Sequence, residues 1–247
     1  MPLRRVLLSV VAFLFAVNIS GVHAEAGGVS YSRNRLVYNA QDNAISIAAI
    51  NHGDTPYLIQ SGVSGGADKM TKAPFVVMPP LFRLEGNTKN QIRILKVPAA
   101  ALPADRESVF YFYSTAIPGL GENTGKNADA DGKNTVGATV SFAIKTILKL
   151  FYRPSNLPVT PDQARGMLHF VQQGNAVMIK NPTPYYQSFA MLAFDGVAQD
   201  LQTHASMVAP MSHLVFPVNK RVNTVTWSVM TDLGGVTEAV SQHTEHP

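Results

Sequence analysis

V-G-A-T-V-S-F-A-I-K-T-I-L-K-L-F-Y-R-P, residues Val136 to Pro154, is the stretch whose reading decides the fold. Val140, Phe142, Ile144, Thr146 and Leu148 fall on every second position, with Ser141, Ala143 and Lys145 between them. Alternation of period two, rich in β-branched and aromatic residues, predicts a β-strand. The predicted strand is long, since a typical strand has about 5–6 residues. A polar run rich in Gly and Asn, Pro118 to Asn134, precedes it and reads as a loop. Phe151-Tyr152-Arg153-Pro154 follows, with Pro158 and Pro161 beyond.

Working back from this strand, six more short strands are predicted: Val29 to Tyr38, Ala44 to Asn51, Tyr57 to Val63, Phe75 to Met78, Gln91 to Leu95 and Glu107 to Thr115. Turn signals separate them, among them His52-Gly53-Asp54, Ser64-Gly65-Gly66 and Gly86-Asn87. Pro79-Pro80 must end its strand or push it to an edge. Seven short strands at regular spacing predict an immunoglobulin-like sandwich. Residues 154 to 161 read as a linker. A second set of strands is predicted at Met167 to Gln172, Ala176 to Asn181, Ser188 to Phe194, His213 to Val218, Asn223 to Met230 and Val236 to Val240. Gln163 to Leu168 has room for one helical turn. The fold class is therefore all-β, and the family resemblance described below implies two immunoglobulin-like sandwiches arranged at an angle around a cleft. The predicted domains are residues 25–153 and 154–247.

Residues 1–24 read as a signal peptide. Arg4 and Arg5 precede an apolar core, Val6 to Val17, and Val22-His23-Ala24 supplies the cleavage positions, with cleavage after Ala26 as the alternative. The apolar run falls short of the ~20 residues that a membrane span needs. The chain is thus expected to be exported, with no membrane insertion. Removing Arg4 and Arg5 leaves 18 Lys and Arg against 16 Asp and Glu, a formal charge of +2, which is no nucleic-acid signature. With no Cys, the exported chain must rely on core packing, and Cys-based catalysis or metal binding is excluded. The seven His are scattered, without a zinc or triad pattern, so no catalysis, metal or cofactor is expected.

Leu102 to Pro118, L-P-A-D-R-E-S-V-F-Y-F-Y-S-T-A-I-P, resembles the signature of the PapD-like periplasmic pilus chaperones. M-P-P-L-F-R-L-E at 78–85, K-L-F-Y-R-P at 149–154, N-P-T-P-Y-Y at 181–186 and R-N-R-L-V-Y at 33–38 match in the same order. Any one of these blocks is weak alone; together they cover essentially the whole mature chain. Tyr113 departs from the family's usual Asn, Gly119 replaces a common second Pro, and the long 118–134 loop lacks the cysteines that often accompany it.

The resemblance implies a chaperone that binds and folds fimbrial subunits, each an immunoglobulin-like domain lacking its last strand, and passes them to an outer-membrane usher. Val140, Phe142 and Ile144 would be the donor-strand side chains; without the resemblance they read as ordinary sandwich core. Pairing with an exposed strand edge is the physical mode. Arg35 and Lys149 would anchor the subunit's terminal carboxylate through charge-assisted bonds; read alone, they are solvated surface charges. Simple alternation places Lys149 on the face opposite Ile144, so either the strand bends or its two faces do different jobs. Glu107, Arg153 and Asp232 match a trio that ties the two domains by ion pairs. An exposed apolar edge strand also favours self-association. The alternative reading is a secreted immunoglobulin-like adhesin or binding module that lends no strand.

Overall fold

Apolar residues alternate along most of the chain, and each alternating run pairs with another, so that one face of each sheet is sealed from water. The computed structural model describes residues 28–98, 101–119 and 141–246. The first half contributes β1 (Val29–Tyr31), β2 (Arg35–Asn39), β3 (Ile45–Asn51), β4 (Tyr57–Ser64), β5 (Phe75–Met78), β6 (Leu81–Leu84), β7 (Lys89–Lys96), β8 (Ser108–Pro118) and β9 (Ile144–Arg153). They form a four-stranded sheet of order β1-β3-β7-β5 and a five-stranded sheet of order β2-β9-β8-β4-β6. Leu36, Tyr38, Ile47, Ile59, Ile92, Ile94, Phe112 and Leu150 fill the space between the sheets.

The second half adds α1 (Pro161–Ala164), a single turn opened by a capping box between Thr160 and Gln163. Then come β10 (His169–Gln173), β11 (Ala176–Asn181), β12 (Gln187–Phe194), β13 (Val197–Ala198), β14 (Met207–Val208), β15 (Ser212–Pro217), β16 (Thr224–Val229) and β17 (Val240–His243). One sheet runs β10-β11-β15 and the other β13-β12-β16-β17, with β14 also on β12. Trp227 is packed at the centre of this second core with Phe170, Phe189, Leu192 and Val225, and its indole N–H donates to the Arg165 carbonyl. The chain is thus all-β with two immunoglobulin-like sandwiches, as the strand spacing and the resemblance predict.

Four local expectations are corrected. The predicted first strand, Val29 to Tyr38, is two strands. β1 pairs antiparallel with β3, whereas β2 pairs parallel with β9 in the opposite sheet. The chain changes sheets at Ser32–Asn34, where Ser32 is tied by its amide and hydroxyl to Ala48. The core-facing residues are odd-numbered in β1 (Val29, Tyr31) and even-numbered in β2 (Leu36, Tyr38), so the phase of the alternation shifts across the break. Pro79-Pro80 does not merely end β5. The chain turns there and enters the other sheet as β6, which was not predicted. The last strand lies at Val240–His243; Val236 forms only a single bridge with Met230. Within the described residues, regular pairing of the long strand begins at Ile144, opposite Ala116, so Phe142 precedes it. Val140, residues 1–24 and most of the 118–134 loop lie outside the described residues.

Tyr113 also finds its reason. Its ring rests over Gly62 on the neighbouring strand β4, where any Cβ would collide with it. A large side chain on β8 is accommodated by an absent one on β4.

Phe112 is fully buried, whereas Phe142 is 76% exposed. Phe112→Ala should cost about 3–5 kcal/mol in urea unfolding, while Phe142→Ala should change stability by no more than about 0.5 kcal/mol.

Candidate functional site: an open strand edge and a charged cleft

Strand β9 has two different halves. Along Ile144–Tyr152 it pairs antiparallel with β8. On its other side β2 covers only Lys149 to Arg153, starting at the Arg35–Lys149 register. Residues Ile144 to Leu148 therefore have no strand partner on that side among the described residues. Their N–H and C=O groups form an open edge of the kind that pairs with another chain.

The alternation assigns the faces. Ile144, Thr146, Leu148 and Leu150 stand opposite Ala116, Ser114, Phe112 and Phe110, the core-facing residues of β8. Leu150 is sealed in the core and Leu148 packs against it, but Ile144 is 63% exposed because the sandwich no longer covers it there. Phe142 and Ile144 thus extend the hydrophobic face past the end of the core. Lys145, Ile147, Lys149, Phe151 and Arg153 take the other face. The two faces differ in character, and no bend is needed to separate Lys149 from Ile144.

On that second face, near the junction with the second sandwich, Arg35 and Lys149 stand side by side. Arg35 is only 7% exposed. Its guanidinium stacks over the Phe151 ring at 4.5 Å, and its Nη1 donates to the Met230 carbonyl at 3.0 Å. Its buried Nε has no partner. Burial lowers the Arg35 pKa, against the more distant charges of Asp232 and Glu107, which raise it. Burial and then the charge of Arg35 lower that of Lys149. Neither cation forms an ion pair among the described residues, so an anion arriving between them would relieve a standing electrostatic cost.

The predicted charged trio converges next to this pair. Arg153 Nε donates to Glu107 Oε1 at 2.8 Å, and its two terminal nitrogens grip Asp232 at 2.6 and 2.8 Å. Glu107, 4% exposed, also accepts from the Tyr186 amide at 2.9 Å. The Glu107 amide donates in turn to the Pro184 carbonyl. One guanidinium thus links a carboxylate of the first sandwich with one of the second, in the bidentate geometry that arginine favours. Burial pushes the Glu107 carboxyl up, and Arg153 and the Tyr186 amide only partly oppose this. For Asp232, burial would also raise the carboxyl, but the hydrogen bonds and charge of Arg153 outweigh it and hold it below the ordinary range. Arg153 remains charged throughout, its pKa raised by Asp232 and Glu107 against the effect of burial.

Arg35, Glu107, Arg153 and Asp232 line a cleft of about 360 Å³ with Arg165, Tyr185, Tyr186 and Leu233; Lys149 lies beside Arg35 on the neighbouring strand. Sequence reasoning missed Phe151, Tyr186 and Met230. Phe151 lies within a quoted motif and its odd position puts it beside Lys149, which was a usable signal. Tyr186 and Met230 act here through backbone atoms, which leave no mark on residue type. Among the described residues no three His, Asp or Glu gather to hold a metal, and no helix is long and apolar enough to cross a membrane.

The comparisons with known proteins agree on one family. Residues 28–158 match the N-terminal domain of the pili and flagellar-assembly chaperone PapD, and residues 163–241 match the C-terminal domain of the pili assembly chaperone PapD. Chaperone protein AggD of Escherichia coli is 31% identical over 249 residues, covering 96% of this chain and 97% of AggD. The SafB chaperone of Salmonella enterica, solved in complex with the SafA pilin, is among the similar structures. That likeness has a TM-score of 0.73 at 30% identity and covers 87% of this chain and 96% of the solved one. The E. coli chaperone DraB matches with a TM-score of 0.75 at 30% identity, covering 89% of this chain and 97% of DraB.

Removing Arg153 should expose the role of Glu107. Arg153→Ala leaves a buried carboxylate without its cation and should cost about 3–5 kcal/mol at neutral pH. A carboxyl raised in the folded state binds its proton more tightly there than when unfolded, so stability falls as pH rises through the raised range. Loss of Arg153 raises Glu107 further, so the variant should lose more stability than the wild type between pH 5 and pH 8. Urea unfolding at the two values checks this; equal losses would mean that Glu107 carries no buried charge.

Proposed function

The chain belongs to the PapD family of pilus-assembly chaperones, and from that premise we propose how its own residues carry the work. A fimbrial subunit docks along the open edge of β9. The donor strand supplies Val140, Phe142 and Ile144 to the groove left by the subunit's missing strand. Burying each such side chain is worth roughly 1.5–3 kcal/mol. Arg35 and Lys149 hold the subunit's terminal carboxylate and so set the register of the pairing. Glu107, Arg153 and Asp232 keep the two sandwiches in the relative position that the subunit needs. The task is binding and folding, and it requires no catalysis.

The same reading extends to the chain's surroundings. Residues 1–24 direct export to the periplasm and are removed, leaving domains of residues 25–153 and 154–247. The loaded chaperone hands its subunit to an outer-membrane usher, which exchanges the lent strand for that of the next subunit. In the absence of subunit, the open edge of one molecule covers that of another.

The observation that carries the reading is the half-covered strand. Phe142 and Ile144 are exposed on an edge with no strand partner among the described residues, while Leu148 and Leu150 of the same face are packed into the core. An adhesin displaying loops has no use for such an edge.

Periplasmic co-expression with fimbrial subunits, followed by affinity recovery of this protein, tests it. Wild-type protein should bring down a soluble one-to-one complex. Arg35→Ala and Lys149→Ala should fold normally but recover less than about a tenth of the subunit, as expected for losing a charge-assisted anchor. Phe142→Glu should weaken recovery with unchanged stability. Normal recovery with either cation variant would remove the anchor from the mechanism. Recovery of this protein alone would favour a secreted binding module.

A further inference from the structure

The turn joining β16 to β17 touches the first sandwich at three consecutive places. At its start, the Met230 carbonyl accepts from Arg35 Nη1. In its middle, Asp232 holds Arg153. At its tip, the Gly234 carbonyl accepts from Asn34 Nδ2 at 3.0 Å. The turn is internally braced: Thr231 exchanges backbone hydrogen bonds with Gly234 and Gly235, and its hydroxyl accepts from the Gly235 amide. Gly234 has φ of +84°, and a Cβ there would fall on the Asn34 amide. The tip is thus shaped to sit against Asn34, the residue that immediately precedes Arg35.

These contacts differ in strength. Asp232–Arg153 is a bidentate ion pair. The contacts at Asn34 and Arg35 are single bonds to neutral carbonyls, while Arg35 Nε is buried with no acceptor at all. A guanidinium has five N–H donors, and this one is served by one carbonyl and an aromatic face. A carboxylate would give a charge-assisted bond roughly twice as strong as the carbonyl it replaced.

We infer that the Met230–Val236 turn is a latch over the anchoring arginine. It occupies Arg35 in the unloaded chaperone through the Met230 carbonyl and is steadied by Asn34. The arriving carboxylate of a subunit takes that donor over. The Met230 amide is itself held by the Ser188 carbonyl, so the exchange proceeds by release of Arg35 and Asn34 from the turn. Arg153 and Asp232 stay joined throughout, so only the two ends of the turn change partners. The latch rests on the reading of Arg35 as the anchor, and it makes Asn34 a positioning residue that never touches the subunit. Its effect is to keep the buried guanidinium partnered until an acceptor stronger than a peptide carbonyl arrives.

The test uses the full mature protein without subunit, labelled with phenylglyoxal, which modifies accessible arginine, and read by peptide mass spectrometry. The exposed Arg83 is the internal control. In the wild type Arg35 should react far more slowly than Arg83. Asn34→Ala removes one hydrogen bond from the latch and should raise the Arg35 rate about fivefold, the change expected from one such bond, with Arg83 unchanged. Gly234→Ala, which forces the tip away from Asn34, should do the same; unchanged fluorescence of the buried Trp227 confirms that the second sandwich is intact. An Arg35 rate that is the same in all three proteins overturns the latch and leaves the anchor standing. Normal subunit recovery by Arg35→Ala in co-expression overturns the anchor, and with it the purpose of the latch, whatever the labelling shows.

Discussion

The parallel pairing of β2 with β9 stops at Arg35 and Lys149, and the rest of the molecule's behaviour depends on where it stops. Had β2 continued backwards for five more residues, β9 would be covered on both sides and the sandwich would have no open edge there. The chain prevents this by leaving the five-stranded sheet at Asn34 and crossing to the other sheet, where Val29–Tyr31 pairs with β3. One change of sheet sets the first cation beside the second and leaves the first half of β9 available.

The strand then divides its work between two faces. Even-numbered residues belong to the hydrophobic side and pass from exposed at Ile144 to sealed at Leu150, with Tyr152 half-buried beyond. Odd-numbered residues from Lys145 to Arg153 carry the polar and charged side, where Phe151 supports Arg35 and Arg153 joins the carboxylates. Because side chains alternate along this regularly paired strand, a single backbone element carries an apolar side and a charged side with no compromise between them.

Much of this was legible before any coordinates. Alternation identified Phe142, Ile144 and Leu148 as one set, and the aromatic run Phe110 to Tyr113 marked the partner strand. The convergence of Glu107, Arg153 and Asp232 was legible only through the resemblance, since residues 46 and 79 positions apart carry no local signal of contact. The break at Ser32–Asn34 left a mark that the reading as one strand passed over: the apolar set moves from odd positions (Val29, Tyr31) to even ones (Leu36, Tyr38) across Arg33 and Asn34. The short strand Leu81–Leu84 was hidden behind Pro79-Pro80, which reads as a stop and serves as a crossing between sheets. The Met230 and Gly234 carbonyls were beyond reach for a different reason: every residue has a carbonyl, and only the fold decides which ones face a cation.

The place of the charged trio has a mechanical consequence. Arg153 lies at one end of β9 and Ile144 at the other, about 30 Å apart at the rise of an extended strand. The strand is therefore a lever arm with its pivot at the ion pairs. One degree of rotation between the sandwiches at Arg153 sweeps Ile144 through about half an ångström relative to the second sandwich, by simple proportion over that length. Side-chain packing is sensitive to displacements of this size. A pivot made of one exposed hydrogen bond would let the far end wander by more than a pocket tolerates. Two carboxylates on one guanidinium, one of them buried, form a stiffer bearing, so small geometric tolerances at one end of the strand can be kept at the other.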